Sequence, residues 1–198
     1  MAYADSDHPS PAGIQAVRVV KLLIAGGFGV GKTTMVTSLS EITPLRTEEQ
    51  ITERSVGVDD LTGVESKTTT TVALDFGRIT IGSDLVMYLF GTPGQDRFWF
   101  MWDELSTGAL GAVVLADTRR LDGAFAPVDF FESRGIPFVV AVNCFDDADI
   151  YYEDEIRGAL DLPAHVPVLM CDVRLRESAK QVVVALMEHL MTSAVAQT

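Results

Sequence analysis

The apolar run Val17-Arg18-Val19-Val20-Lys21-Leu22-Leu23-Ile24-Ala25 breaks into Gly26-Gly27-Phe28-Gly29-Val30-Gly31-Lys32-Thr33, and this junction constrains the fold more than any other stretch of the chain. A β-branched apolar run of this kind suits a strand buried on both faces. The glycines then give a backbone free to turn tightly, and Thr34-Met35-Val36-Thr37-Ser38-Leu39-Ser40 reads as a short helix. Strand, glycine loop and helix together are the setting that the pattern G-x-x-x-x-G-K-[ST] requires.

The chemistry of that pattern is phosphate binding. Glycines let successive N–H groups turn inward as a concave anion nest, and a helix opening at Gly31 adds its positive end. Lys32 is placed to reach β- and γ-phosphates, and the Thr33 hydroxyl to ligate Mg²⁺. The expected nucleotide contacts of this segment are Gly26, Gly29, Val30, Gly31, Lys32, Thr33 and Thr34.

A length of 198 residues with 47% hydrophobic content fits one domain with its own core. Residues 1–15, polar and bearing Pro9 and Pro11, read as a disordered tail ahead of a domain over 16–198. No apolar run approaches the ~20 residues of a membrane span, and the first residues lack a secretory pattern. A cytoplasmic protein with no direct membrane anchor is expected. The net charge of −13 argues against binding nucleic acid or anionic lipid. Cys144 and Cys171 show no metal spacing and are expected as thiols.

Along the chain, strand patterns at 17–25, 71–80, 84–90, 110–116, 137–143 and 166–171 alternate with helical ones at 32–40, 95–106, 122–133, 151–160 and 177–194. Gly82-Ser83 suits a hairpin, while the other connections imply parallel crossovers. The stretch 41–67 is long, polar and follows the glycine loop directly, which favours a functional segment.

Two further motifs sharpen the chemistry. Phe138-Val139-Val140-Ala141-Val142 ends in Asn143-Cys144-Phe145-Asp146, at the strand end where an open α/β sheet places ligand contacts. The Asp146 carboxylate accepts two hydrogen bonds, which matches N1–H and the 2-amino group of guanine and leaves it unpaired against adenine. Asn143 is placed to bond the base edge and tie the loops together. Leu85-Val86-Met87-Tyr88-Leu89-Phe90 ends in Gly91-Thr92-Pro93-Gly94-Gln95-Asp96, where the Gly94 N–H suits a γ-phosphate and Gln95 an attacking water.

With these motifs in order, the chain over about 17–195 resembles the Ras-like small GTPases, and within them the bacterial MglA-like and actinobacterial conservon GTPases. The resemblance implies an α/β, three-layer P-loop G domain with a mixed six-stranded sheet flanked by helices. It implies a signalling switch that binds GTP and GDP with Mg²⁺ and hydrolyses GTP slowly, with Gln95 as the catalytic residue. Thr71, in Thr71-Val72-Ala73-Leu74-Asp75-Phe76, resembles the end of an extended first switch (about 41–71) and would join Thr33 at the metal. Cys171, Asp172 and Val173 would contact the base, mainly through backbone N–H groups. Glu177-Ser178-Ala179-Lys180 spells the family's base motif but lies past the strand end, so Ser178 is read as structural. The family also implies a regulatory partner, possibly of the roadblock type, and effector binding through the switches and Phe98-Trp99-Phe100-Met101-Trp102.

Three positions depart from the family. Gly91 stands where an Asp usually holds Mg²⁺, so another acid would have to substitute. Phe28 is bulky where a small residue is usual, and Cys144 replaces the Lys that covers the base. These departures leave a non-hydrolysing pseudo-GTPase scaffold as the alternative. Arg54, Arg78 and Arg97 are the candidates for an arginine reaching the phosphates in cis.

Overall fold

The uninterrupted apolar runs become the central strands, because each is covered on both faces. A computed structural model describes residues 17–52, 69–94 and 100–196. Its strands are β1 (Arg18–Gly26), β2 (Leu45–Thr52), β3 (Thr69–Ile81), β4 (Leu85–Gly91), β5 (Gly111–Ala116), β6 (Phe138–Asn143) and β7 (Val168–Cys171). They form one sheet in the order β2-β3-β4-β1-β5-β6-β7. β1 pairs in parallel with β4 and β5, and β6 and β7 continue in parallel. β3 runs antiparallel to both β2 and β4. The six expected strands are all present, and β2 adds a seventh at the edge.

The helices are α1 (Lys32–Leu39), α2 (Phe100–Ser106), α3 (Phe125–Arg134), α4 (Glu153–Ala159) and α5 (Arg176–Ala196), with a 3₁₀ segment at Thr118–Ala124. Strand alternation divides the interior into two cores. Leu22, Ile24, Val113, Leu115, Val139 and Ala141 pack toward α1 and α5, with Met35, Leu39, Val182 and Leu186. Leu23, Ala25, Val114, Val140 and Val142 pack toward α2, α3 and α4, with Trp102, Phe131 and Ile156. Trp102 is buried as expected, edge-on to Phe130 and donating from Nε1 to the Pro93 carbonyl at 3.2 Å.

This topology decides where the site lies. β1 sits between β4 and β5, so the chain departs to opposite sides of it and a crevice opens beyond its carboxyl end. The glycine loop leaves β1 at that point. Among the described residues, no helix is long and apolar enough to cross a membrane.

Candidate nucleotide-binding site

The loop from Gly26 to Gly31 turns through left-handed or otherwise positive φ values at Gly26, Gly29 and Gly31. No side-chain cap occupies the start of α1 at Gly31, so the first-turn N–H groups remain available to an anion. Lys32 folds back over the loop, donating from Nζ to the carbonyls of Gly26 at 2.8 Å and Gly27 at 2.7 Å. Burial pushes its pKa down to about 8, partly offset by the Asp75 carboxylate. Gly94 closes the other side. A Cβ there would collide with Lys32 Nζ and lie 3.0 Å from the Gly27 carbonyl oxygen, so this close approach needs glycine.

The neighbouring strand brings an acid to Gly91. In the β3–β4 register Asp75 stands opposite Gly91, and a Cβ on Gly91 would lie 3.1 Å from the Asp75 Cβ and 3.4 Å from its Oδ2. The Thr33 hydroxyl donates to that same Oδ2. Hydroxyl and carboxylate oxygens thus meet at the mouth of the phosphate loop, a donor set that suits Mg²⁺, which takes few protein ligands and completes its shell with phosphate and water. Asp75 is buried, which is costly for a carboxylate without such partners. Of the two residues expected at the metal, Thr33 and Thr71, the structure brings Thr33 together with Asp75. Thr71 lies within β3 opposite Gln50, four residues and about 13 Å of strand from Asp75.

The base side is built from the ends of β6 and β7. Asn143, buried, donates from Nδ2 to the Val30 carbonyl at 3.0 Å and accepts from Val173 N–H at 3.2 Å. It thereby ties the phosphate loop to the loop after β7. The Asp172 N–H donates to Ser178 Oγ at 3.0 Å. The backbone N–H groups of Asp172 and Val173, expected to read the base, are thus engaged within the protein. Cys171 is buried, its thiol pushed up to about 12 by burial first and by Cys144 and Asp172 second.

Arg174 is the base-side residue that sequence reading missed. Its Nη1 and Nη2 donate to the two Asp146 oxygens at 3.1 and 3.0 Å, and its Nε and Nη2 also reach Asp172. These hydrogen bonds hold both carboxyls below their ordinary pKa. Its position directly after Val173 was the one available signal. Of the remaining candidates, Gln95, Phe98, Trp99, Arg54 and Arg97 lie outside the described residues. Arg78 is on β3, ion-paired to Glu41 at 3.1 Å. Phe100 is exposed.

Residues 24–193 match the sequence model of a family described as "conserved hypothetical ATP binding protein". A protein of Methanocaldococcus jannaschii, described as uncharacterized, is 32% identical over 133 residues, 66% of this chain and 73% of that protein. Among solved structures, the G domain of the T. maritima FeoB iron transporter superposes with a TM-score of 0.60 at 18% identity, covering 87% of this chain and 99% of that one. The FeoB G domain of Methanococcus jannaschii gives 0.58 at 13%, covering 88% and 99%. For the larger T. maritima cytosolic domain, in a GDP form, the score is 0.60 at 16% identity, and 87% of this chain covers 64% of that one, less than two thirds. At these identities the likeness is one of fold, the α/β P-loop fold of G domains.

Proposed function

The chain belongs to this family of conserved hypothetical ATP-binding proteins, and within that nucleotide-binding frame we propose, on the geometry of the base side, that its own nucleotide is a guanine nucleotide and that it works as a GTP/GDP-dependent switch. The carrying observation is Asp146, held ionised at the end of β6 by Arg174 and set beside the Asn143 bridge to the phosphate loop. A carboxylate offers about four lone-pair sites. Arg174 engages both oxygens edge-on, along the same edge that N1–H and the 2-amino group of guanine need, so in this reading the base takes that edge as Arg174 swings onto its other partner, Asp172. Adenine presents an acceptor at N1 and no 2-amino donor, so it leaves both unpaired. The family description favours ATP as the second reading. The specific test is Asp146→Asn, whose amide suits the 2-oxo group of xanthine. It is expected to weaken GDP by roughly a hundredfold and to gain affinity for XDP; unchanged GDP binding would remove Asp146 from the base site.

Thr33 and Asp75 would hold Mg²⁺, which when bound neutralises charge on the phosphate oxygens. Lys32 would meet the β- and γ-phosphates, Gly94 N–H the γ-phosphate, and Gln95 would orient water for slow hydrolysis. Phe28 is largely exposed at the loop's third position, in the approach to that water, which favours slow turnover without help. A regulatory protein, possibly roadblock-like, and effectors reading the switches and Phe98–Trp102 complete the proposed signalling role. A nearer kinship to MglA-like and conservon GTPases belongs to the same proposal.

Lys32 gives this reading a pH signature. A phosphate favours the charged lysine, so the nucleotide-bound protein holds its proton above the pKa of about 8 found without that contact. Binding therefore takes up a proton once the pH exceeds about 8, and raising the pH weakens it. GDP affinity is expected to be level from pH 6.5 to 7.5 and about tenfold lower at pH 9. Calorimetry in buffers of different ionisation enthalpy checks this; equal affinity at pH 7 and 9 would contradict it.

A further inference from the structure

The turn after β5 touches the phosphate loop at two independent points. The backbones of Gly27 and Gly123 are packed so closely that a Cβ on Gly27 would lie 3.2 Å from the Gly123 Cα, and one on Gly123 would lie 3.3 Å from the Gly27 Cα. One residue beyond Gly27, Arg120 donates from Nη2 to the Phe28 carbonyl at 3.1 Å. The same Nη2 stands 3.3 Å from where a Cβ on Gly29 would be.

The turn itself is held firmly. Buried Asp117 accepts from Arg119 N–H at 3.0 Å and from its guanidinium, and the Asp117 carbonyl accepts from Arg120 N–H at 2.9 Å. At Arg120 the backbone leaves the helical region (φ −150°, ψ 63°). Together with Phe28, Pro93 and Trp102, Arg120 lines a cavity of about 350 Å³ beside the loop.

A trans peptide points its C=O and the following N–H in opposite directions, and the described residues contain no cis peptide. With the Phe28 carbonyl held toward Arg120, the Gly29 N–H of the same peptide points to the side away from Arg120. Taking that nest to hold a nucleotide, as above, we propose that Arg120 is a positioning residue: it fixes the Phe28–Gly29 peptide so that the Gly29 N–H is aimed at the phosphates. The arrangement resembles a preorganised oxyanion hole, in which a donor is useful only if its peptide faces the right way. None of the three arginines singled out in the sequence as cis candidates is this one, and its role is exerted through the loop rather than by contact with the nucleotide.

The test is GDP binding by the unmodified full chain and by Arg120→Met, Arg120→Lys and Gly123→Ala, with the Gly29 amide resonance followed in the GDP-bound proteins. Arg120→Met is expected to weaken GDP about tenfold at both low and high salt, the loss set by a charge-assisted hydrogen bond that is partly exposed. It is expected to shift the Gly29 amide and leave the melting temperature nearly unchanged. Arg120→Lys, with a donor on a long stem, should recover most of the affinity. Gly123→Ala should shift the same amide by pressing on Gly27. GDP binding unaffected by Arg120→Met would overturn the inference, as would a loss that high salt erases, because that loss would report charge alone. Unmodified protein that binds no nucleotide would overturn the nucleotide reading as well.

Discussion

Asp75→Asn is expected to make nucleotide binding nearly indifferent to magnesium. The substitution keeps the shape of the side chain and its place opposite Gly91, but removes the charge that suits a divalent cation beside Thr33. Loss of a supporting carboxylate at a metal site typically weakens the metal ten- to a hundredfold. It also removes the nearby negative charge that offsets the desolvation of Lys32, so the lysine's pKa should fall further. Titrating Mg²⁺ against a GDP complex at fixed nucleotide concentration checks this. A magnesium midpoint equal to that of the unmodified protein would show that Asp75 is not the replacement acid.

Gly31→Ala is expected to damage the site through a single added methyl group. At φ +111° an L residue is strained, and the added Cβ would lie 2.8 Å from Asn143 Nδ2 and 3.0 Å from Val173 Cγ2. Asn143 cannot retreat without loosening its bonds to Val30 and Val173, which join the two halves of the site. Backbone strain of about 1–3 kcal/mol and a disturbed buried hydrogen bond of about 1–3 kcal/mol combine to roughly 2–6 kcal/mol. For a domain of this size that is a fall of about 4–24 °C in melting temperature. Gly135→Ala is the control. It shares a left-handed φ of +62° but has nothing within 4 Å of the added Cβ, so it should cost only about 1–2 kcal/mol. Equal losses in the two variants would contradict the role given to the Asn143 bridge.

The parts of the molecule legible in the sequence are those written as contiguous patterns. The apolar runs of β1, β5 and β6 specify strands covered on both faces, and the glycine loop places the phosphate site at the end of the first. The place of Asn143 and Asp146 at the end of β6 was legible because the Asn143-Cys144-Phe145-Asp146 run follows its strand directly. Asp75 was not, because its relation to Gly91 is set by antiparallel register: the two are distant in sequence and opposite in space. A lone acid in the run Val72-Ala73-Leu74-Asp75-Phe76 was the only hint. Arg120 was not legible, since nothing local to Thr118-Arg119-Arg120 announces the loop it meets. β2 escaped because an edge strand needs no continuous apolar face, and Leu45–Thr52 is rich in Thr, Glu and Gln.

The most direct test of guanine recognition is a calorimetric comparison of GDP and ADP on the nucleotide-stripped, unmodified protein with Mg²⁺ present. Pairing of both Asp146 oxygens with the base predicts that GDP binds at least ~10-fold more tightly than ADP. ADP binding as tightly as GDP, or more tightly, would contradict it and favour an adenine nucleotide at the same phosphate loop.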